Sequence, residues 1–436
     1  MGRCGFSPRR DNLSKKIFAL VDCNSFYCSC ERLFRPDLKS TAIGVLSNND
    51  GCFVSRTPEL KKLGVKTGDP YFKVKDLCKK NNVAVFSANF SLYTNLSDRV
   101  MKTLATFAPR IEVYSVDEAF LDLTGFNPDE LVEYSREIKR IVERDTGIPV
   151  SVGVGYTKTL AKLANNLAKK SKKAGGVVCL LNDKHTEAAL ERTQIGDVWG
   201  IGRASESKLK AIGIHNAKDF KEYKNSKNIL KLLTKVGLQT KEELEGNIRL
   251  NLEIVPIKKK EIMCSRTFGT PVFDMKVLRE SISNYITNTA EKLRKQDSSC
   301  SKIEIFARTS PYKDVPQHFA FEQVILSGDS SNTLKMISYA FSAVEKLFKE
   351  GYEFKKAGVK LTNIVNDTEG QLSLLDENDS PRTRSLMKTI DLINKINGPG
   401  TIKSAACGVN DKAWSMSRNF KSPRYVTGYT ELPKVT

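Results

Sequence analysis

A run of five apolar residues, Ile17–Val21, ends directly in an acidic residue, Asp22. A continuous apolar run of this length is typical of a central strand that is buried on both faces of a sheet. A carboxylate at the end of such a strand lies at the edge of the hydrophobic core, where a charge is costly unless it is paired. The run therefore predicts a sheet-containing fold, and it makes Asp22 a candidate functional residue.

A second acidic site, Asp117-Glu118, lies between two segments of alternating apolar and polar residues, 111–116 and 119–123. Neighbours in a flat strand point to opposite faces, but a tight turn at this pair would let both carboxylates point to one place. If the strand ending at Asp22 lies beside this hairpin, three carboxylates converge. Buried like charges become protonated unless cations neutralise them, so the pattern predicts two divalent metal ions and in-line attack at phosphorus. The alternative is an acidic turn that only closes a hairpin.

Composition indicates a polyanionic partner and no membrane span. The chain has 436 residues, with 70 lysines and arginines against 50 acidic residues, a net charge of +20. This surplus favours nucleic acid; a basic surface on an ordinary enzyme is the alternative. The longest apolar runs have five residues, whereas a membrane span needs about 20. The first residues also lack the apolar core of an export signal, so the expected location is cytoplasmic.

Several kinds of catalytic site are excluded by motif. The chain has no Gly-x-Ser-x-Gly elbow of a serine hydrolase, and its three histidines are scattered. The segment 153–159 looks like a phosphate loop only superficially, because its glycine and lysine spacing is wrong. The ten cysteines include no Cys-x-x-Cys pair. Zinc is therefore not expected, and buried reduced thiols are.

The order of patterns predicts an α/β (α+β) multidomain fold. Strand and helix signals alternate over 17–185, helical patterns fill 186–252, a linker follows at 253–260, and mixed signals return over 261–362. The stretch from Lys158 to Lys173 contains six lysines and no acidic residue. Residues 158, 162, 169 and 173 are spaced as one face of a helix. The lack of a balancing acid favours a phosphate partner for this face, and a solvated charged face is the alternative.

Four segments together resemble the Y-family DNA polymerases, and within them the UmuC branch, to which the catalytic subunit of bacterial polymerase V belongs. They are Val-Asp-Cys-Asn-Ser-Phe-Tyr at 21–27, Ser-Asn-Asn-Asp-Gly at 47–51, Gly-Val-Lys-Thr-Gly-Asp-Pro at 64–70 and Tyr-Ser-Val-Asp-Glu-Ala-Phe at 114–120. The resemblance implies a right-hand polymerase with palm, small fingers, helical thumb and α/β little finger. It also implies error-prone synthesis across damaged template in the DNA damage (SOS) response.

The resemblance implies a domain for each part of the chain. The expected order is a basic extension at 1–16, palm at 17–25 and 91–182, fingers at 26–90, a thumb with helix-hairpin-helix at 183–252, the linker at 253–260, the little finger at 261–362 and a partner-binding tail at 363–436.

The same resemblance assigns roles in catalysis and nucleotide binding. Asp22, Asp117 and Glu118 are the expected catalytic residues, and with the carbonyl of Cys23 they are the expected ligands of two Mg²⁺ ions, which favour hard oxygen donors. Tyr27 is the expected steric gate, whose ring would clash with a ribose 2′-hydroxyl. The residues expected to contact the incoming dNTP are Phe26, Tyr27, Lys61 and Lys169. Phe26 alternatively packs in the core, and Pro58 occupies a position where related polymerases have a tyrosine that holds the triphosphate.

Further residues are expected to contact DNA and partner proteins. Gly200 and Gly202 resemble a helix-hairpin-helix loop that approaches DNA phosphates, and Arg266 lies in what resembles a DNA-facing strand. A sliding-clamp peptide is expected at 371–376, with contacts from Gln371, Leu372, Leu374 and Leu375. The resemblance also implies a UmuD-type dimer and a RecA filament as partners of the tail, and action at the nucleoid. Two rival functions remain open from the residues alone: another palm-type nucleotidyl enzyme such as a cyclase, and a non-catalytic DNA-binding accessory protein.

Overall fold

The structure, a computed structural model, describes residues 15–255, 257–367, 379–408 and 414–431. The described residues form two compact units. Of these residues, the first unit contains 15–47, 52–255 and 420–431, and the second contains 48–51, 257–367, 379–408 and 414–419. A segment near the C-terminus therefore belongs to the same unit as the acidic residues singled out above.

A five-stranded sheet organises the first unit, in the order β5-β6-β1-β7-β8. Its strands are β1 (Phe18–Cys23), β5 (Ile111–Val113), β6 (Glu118–Asp122), β7 (Val150–Gly155) and β8 (Val177–Leu180). The helices packed against it are α4 (Phe90–Leu104), α5 (Leu131–Thr146) and α6 (Lys158–Lys170). The central strand β1 is antiparallel to both β6 and β7, which places the apolar run of the sequence in the middle of the sheet.

The two faces of β1 contact different helices. Ala19, Val21 and Cys23 belong to a core that includes residues of α4 and α5, whereas Phe18 and Leu20 pack with Ala161 of α6. Because side chains alternate along a strand, Asp22 shares the α6 face with Phe18 and Leu20. The alternation thus directs the acidic end of the strand toward one particular helix.

Helix α6 lies unusually close to β7, and glycine permits this approach. A Cβ atom placed on Gly153 would lie 2.1 Å from the backbone nitrogen of Asn165. The Asn165 amide uses the short separation to donate to the carbonyl oxygens of Leu20 and Ser151, at 3.2 and 2.7 Å. The glycines that superficially suggested a phosphate loop therefore allow a helix to dock on the sheet.

The rest of the first unit is a small mixed sheet and a helical region. The small sheet has the order β3-β2-β4, with strands β2 (Ile43–Leu46), β3 (Phe53–Arg56) and β4 (Ala84–Ser87). Around it lie α1 (Phe26–Leu33), α2 (Pro58–Lys62) and α3 (Tyr71–Lys80). The helical region contains α7 (Asp183–Arg192), α8 (Arg203–Lys210), α9 (Ala217–Glu222) and α10 (Ser226–Leu244), as the patterns of 186–252 predicted.

The second unit is a four-stranded antiparallel sheet covered by helices. Its order is β11-β10-β12-β9, with strands β9 (Ile262–Val272), β10 (Ser298–Arg308), β11 (Phe319–Ser330) and β12 (Phe354–Asn366). The covering helices are α11 (Met275–Lys295) and α12 (Thr333–Leu347), and α13 (Pro381–Asn397) is joined to α11 by an ion pair between Arg294 and Asp391. The region 363–436, expected to be a partner-binding tail, thus contains a regular helix of 17 residues.

Most predicted elements occur close to their predicted positions. The alternating segment 111–123 forms the predicted hairpin, with two short strands, β5 and β6, joined by a turn that contains Asp117, while Glu118 is the first residue of β6. Among the described residues no helix is sufficiently long and apolar to cross a bilayer. The nine described cysteines are free, and seven of them are buried, which agrees with the expectation of reduced thiols.

The prediction that four lysines form one helix face toward phosphate is wrong for two of them, Lys158 and Lys173. Lys173 lies beyond the end of α6. Lys158 is buried, and its Nζ lies 2.8 and 2.7 Å from the two carboxylate oxygens of Glu112. Glu112 also accepts from the backbone N–H of Glu253, at 2.9 Å. The local absence of acidic residues was misleading, because the balancing acid comes from a distant strand.

We expect Glu112→Gln to destabilise the first unit by about 3–5 kcal/mol, because it leaves the buried ammonium of Lys158 without a counter-charge. Urea unfolding followed by circular dichroism measures the change. The matched control is Asp98→Asn, which removes the acid of an exposed i,i+4 pair with Lys102 and should shift the midpoint little. Equal shifts for the two variants would contradict the assignment of the buried pair.

Candidate active site

The carboxylates of Asp22 and Glu118 lie side by side on the α6 face of the sheet. The two residues are direct partners in the antiparallel register of β1 and β6. On β6, Ala119 and Leu121 point into the opposite core, so Glu118 and Phe120 share the face of Asp22. The register of two strands that are remote in sequence thus produces the acidic pair.

Two lysines of α6 neutralise this pair. Lys169 Nζ lies 2.6 Å from Asp22 Oδ2, and Lys162 Nζ lies 2.9 Å from Glu118 Oε2. Lys162 and Lys169 are seven residues apart, and Asn165 between them bonds the sheet, so all three project from one side of the helix. Lys162 also lies over the rings of Tyr114 and Trp199, at 4.4 and 5.0 Å from their centroids. The helix that docks through Gly153 therefore delivers two cations to the acidic pair.

The two carboxyls differ in their affinity for a proton. Burial raises the pKa of Asp22 to about 7, and a hydrogen bond with Glu118 adds to the shift, while Lys169 opposes it. Burial also acts against ionisation of Glu118, but hydrogen bonds with Asp22 and Lys162 outweigh it and hold the pKa of Glu118 below its ordinary value. Such crowding is expected where carboxylates are gathered for a cation.

Asp117 lies in the turn that precedes β6 and faces a different space from Glu118. Its backbone oxygen accepts from the N–H of Cys23 at 2.8 Å, which ties the turn to the end of β1. Its carboxylate accepts from the Ser115 hydroxyl at 2.6 Å. Asp117 and Asp22 line one cavity of about 370 Å³, while Glu118 and Asp22 line a neighbouring one of about 240 Å³. Asp22 and its partner Lys169 therefore line both cavities.

The larger cavity also has a basic wall, one member of which, Lys169, is paired with Asp22. Arg56 at the end of β3, Lys61 of α2 and Lys169 of α6 all line it. Burial lowers the pKa of the Lys61 amine, and repulsion from Arg56 and Lys169 adds to the effect. Three cations that crowd one cavity favour an anionic ligand. Sequence reasoning missed Arg56, although an arginine just before the start of α2, in the segment that supplies Lys61, was a usable signal.

An aromatic wall completes the cavity. Tyr27, on the first turn of α1, lines it and is half-buried, whereas Phe26 also lines it but belongs to the hydrophobic core. The Tyr27 ring stacks on Tyr93 of α4, with centroids 4.4 Å apart and planes at 14°. Phe90 contacts both rings edge-on. The sequence contained no signal that would have paired Tyr93 with Tyr27, because 66 positions separate them.

A buried carboxyl supports this aromatic wall. Glu31, one helical turn after Tyr27 on α1, is fully buried and accepts from the Tyr93 hydroxyl at 2.6 Å. Burial raises the pKa of Glu31 to about 7, although hydrogen bonds from Tyr93 and Ser422 lower it in part. Glu31 was also missed from the sequence, since an acidic residue in an amphipathic helix is ordinarily exposed.

The residues predicted to contact DNA lie outside these cavities. Gly200 has a positive φ of 87°, and Gly202 is the residue before α8; both are exposed. Arg266 is exposed on β9 of the second unit. The predicted clamp residues Gln371, Leu372, Leu374 and Leu375, and the basic extension up to residue 14, lie outside the described residues.

This fold is known from solved polymerases. A Y-family DNA polymerase chimera, Dbh-Dpo4(243-245)-Dbh, is similar with a TM-score of 0.63 and 24% identity, over 80% of this chain and 99% of that chain. A ternary complex of Dbh with partially disordered substrates has a TM-score of 0.54 and 25% identity over the same shares. The fold therefore defines the class as Y-family DNA polymerase.

Sequence comparisons place the chain within that class. Residues 21–166 match the impB/mucB/samB family, residues 259–374 match its C-terminal domain, and residues 384–435 match a domain of unknown function, DUF4113. Protein UmuC of Salmonella typhimurium LT2 is 41% identical over 96% of this chain and 100% of its own length. Protein MucB of Escherichia coli is 35% identical over 96% and 100%. The chain belongs to the impB/mucB/samB family, the UmuC branch of the Y-family DNA polymerases.

The predicted family, fold class and enzyme class are confirmed by this membership. The chain is an error-prone, translesion DNA-directed DNA polymerase of the DNA damage response. Its substrates are DNA and nucleotides, and its family implies dependence on a divalent metal. The two rival functions, a cyclase and a non-catalytic accessory, are set aside.

The buried carboxyl of Glu31 predicts a pH dependence of stability. Its pKa is higher in the folded chain, about 7, than the ordinary 4.5, so the folded state holds this proton more tightly. The stability that the proton contributes is complete below about pH 4.5 and is lost as the pH rises through 7. Between pH 5 and pH 8 we expect the free energy of unfolding to fall by about 2–3 kcal/mol more in wild type than in Glu31→Gln. Urea midpoints of both proteins across this range measure it, and parallel profiles would refute the shift.

Proposed function

We propose that Asp22, Asp117 and Glu118 carry the nucleotidyl transfer of this polymerase and bind two Mg²⁺ ions together with the Cys23 carbonyl. The observation that supports the proposal best is the placement of Asp22 opposite Glu118, with Asp22 bordering the cavity of Asp117 as well. The donors are hard oxygens, which suit magnesium. The ions, when bound, lower the pKa of the primer 3′-hydroxyl and neutralise charge on the departing pyrophosphate.

The residues present are compatible with such ions, and Asp117 would change its hydrogen-bond partner to bind them. Lys169 Nζ lies 2.6 Å from Asp22 and Lys162 Nζ lies 2.9 Å from Glu118. Both carboxylates therefore already attract cations. Within the described part of the chain, no group of three or more His, Cys, Asp and Glu side chains converges as a ready metal site. Asp117 instead accepts from Ser115, and it would have to exchange this bond for a metal.

We further propose that the basic wall holds the dNTP triphosphate. Arg56, Lys61 and Lys169 line the same cavity as Asp22 and Asp117. A triphosphate bound to these cations would hold its reacting phosphorus near the two carboxylates, which is a positioning effect. Tyr27 would then lie beside the sugar and exclude a 2′-hydroxyl by steric clash, with Phe26 as the packed residue behind it.

We also propose contacts with DNA and with partner proteins. Exposed backbone at Gly200 and Gly202 and the exposed Arg266 side chain suit phosphate contacts that position the duplex without reading its sequence. The segment 371–376 is proposed to bind a sliding clamp, and the C-terminal region to bind a UmuD-type dimer and a RecA filament. We propose on the same ground that the chain acts at the nucleoid in the cytoplasm. The resemblance to the UmuC branch is the support for these assignments.

The catalytic assignment predicts that Asp117→Asn binds primer-template but extends it at least about a hundredfold more slowly, since it loses one charge at the reacting phosphorus. Primer extension with labelled dNTPs measures the rate, and gel shift measures DNA binding. Asp129→Asn is the control, because Asp129 belongs to an Asp-Glu pair that is exposed. An Asp117→Asn protein as active as wild type would falsify the assignment.

The gate assignment predicts that Tyr27→Ala lowers the preference for dNTP over rNTP by about ten- to a hundredfold, because the steric barrier to the 2′-hydroxyl disappears. The ratio of kcat/KM for the two substrates measures the preference. Tyr27→Phe keeps the ring and is expected to retain it. Unchanged selectivity in Tyr27→Ala would mean that another residue excludes the ribose.

A further inference from the structure

The C-terminal segment 420–428, here called the C-terminal strap, is built into the first unit. Phe420 packs against the core of the small sheet, and its backbone oxygen accepts from the N–H of Ser87 at 2.9 Å. Tyr425 is buried and stacks on Phe34, just after α1, with ring centroids 4.6 Å apart and planes at 4°. Two aromatic anchors, one near each end, therefore hold the strap on the surface that surrounds α1.

Between these anchors the strap inserts one hydroxyl into the interior. Ser422 is 4% exposed. Its Oγ accepts from the Asn89 side-chain amide at 3.0 Å and donates to Glu31 Oε1 at 3.2 Å. Asn89 is the residue before α4, and Glu31 lies on α1. Ser422 therefore joins the two helices that carry the aromatic wall of the cavity.

The Glu31 oxygen that accepts from Ser422 also accepts from Tyr93, the residue on which Tyr27 stacks. Glu31 Oε1 accepts from the Tyr93 hydroxyl at 2.6 Å, and the Tyr93 ring stacks directly on Tyr27. A continuous series of contacts thus runs from Ser422 through Glu31 and Tyr93 to Tyr27. The other carboxylate oxygen, Glu31 Oε2, is buried without a hydrogen-bond partner among the described residues, so Oε1 carries all the hydrogen bonds of this carboxylate.

We propose that Ser422 and Tyr93 are positioning residues for sugar selection, and that the C-terminal strap holds the steric gate in place through Glu31. The proposal rests on the proposed role of Tyr27. A gate excludes a 2′-hydroxyl only if its ring cannot move aside, and displacements of about 1 Å are sufficient to change such discrimination strongly. A stacked ring whose hydroxyl is bonded to a buried carboxylate cannot easily shift, because the broken bond would leave polar groups unpaired.

The test is the ratio of kcat/KM for dNTP and rNTP in primer extension by the full chain. We expect Ser422→Ala and Tyr93→Phe each to lower the dNTP preference about three- to tenfold, the effect of one buried hydrogen bond, while dNTP incorporation changes much less. Thr427→Ala is the control in the strap, because Thr427 is exposed. Tyr134→Phe is the control for Tyr93→Phe, because the Tyr134 hydroxyl donates to the Phe107 carbonyl at 2.6 Å, outside the series of contacts.

Substitution of Glu31 separates positioning from general destabilisation. Glu31→Gln keeps an oxygen that accepts from both Tyr93 and Ser422 and should retain selectivity, whereas Glu31→Leu should lose it. If Tyr27→Ala itself leaves selectivity unchanged, the gate assignment fails and this inference fails with it. If Tyr27→Ala loses selectivity but Ser422→Ala and Tyr93→Phe keep the wild-type ratio, only this inference is overturned. If Ser422→Ala does not fold, the comparison of dNTP preference between Tyr93→Phe and Tyr134→Phe tests the inference instead.

Discussion

The interaction on which this polymerase most depends is the pairing of two α6 lysines with two carboxylates that are opposite each other on β1 and β6. Asp22 and Glu118 could not remain together inside the protein without nearby positive charge, because desolvation and mutual repulsion would favour protonation. Lys169 and Lys162 supply it. Even with Lys169 beside it, burial keeps the pKa of Asp22 raised, to about 7.

Close packing of helix and sheet makes this pairing possible. Gly153 leaves no room for a side chain between β7 and α6, and Asn165 ties the helix to two strands. Because α6 is fixed on the sheet in this way, Lys162 and Lys169 are held beside Glu118 and Asp22. On the opposite side of the sheet, α1 and α4 are joined by Glu31 and Tyr93, so the acidic pair and the aromatic wall rest on one central sheet.

Much of the site could be predicted because its signals are local. The apolar run before Asp22 and the flanks of Asp117-Glu118 follow from strand periodicity, and Tyr27 and Lys61 follow from the resemblance to a family. The errors in the lysine assignments arose because charge balance was judged only from residues that are near in sequence. Lys158 was read as a phosphate contact because no acid lies near it in sequence, yet Glu112, 46 positions away, neutralises it inside the protein.

The sequence by itself determined the order of strands and helices, the acidic residues at strand ends and the membership of a polymerase family, because periodicity and motif spacing are properties of the chain. Only the tertiary structure decided which charges meet. Lys169 bonds Asp22, Lys162 bonds Glu118, and Ser422 reaches Glu31 across 391 positions. Such partners are chosen by strand register and helix docking, which depend on packing across the whole unit, and no local pattern records them.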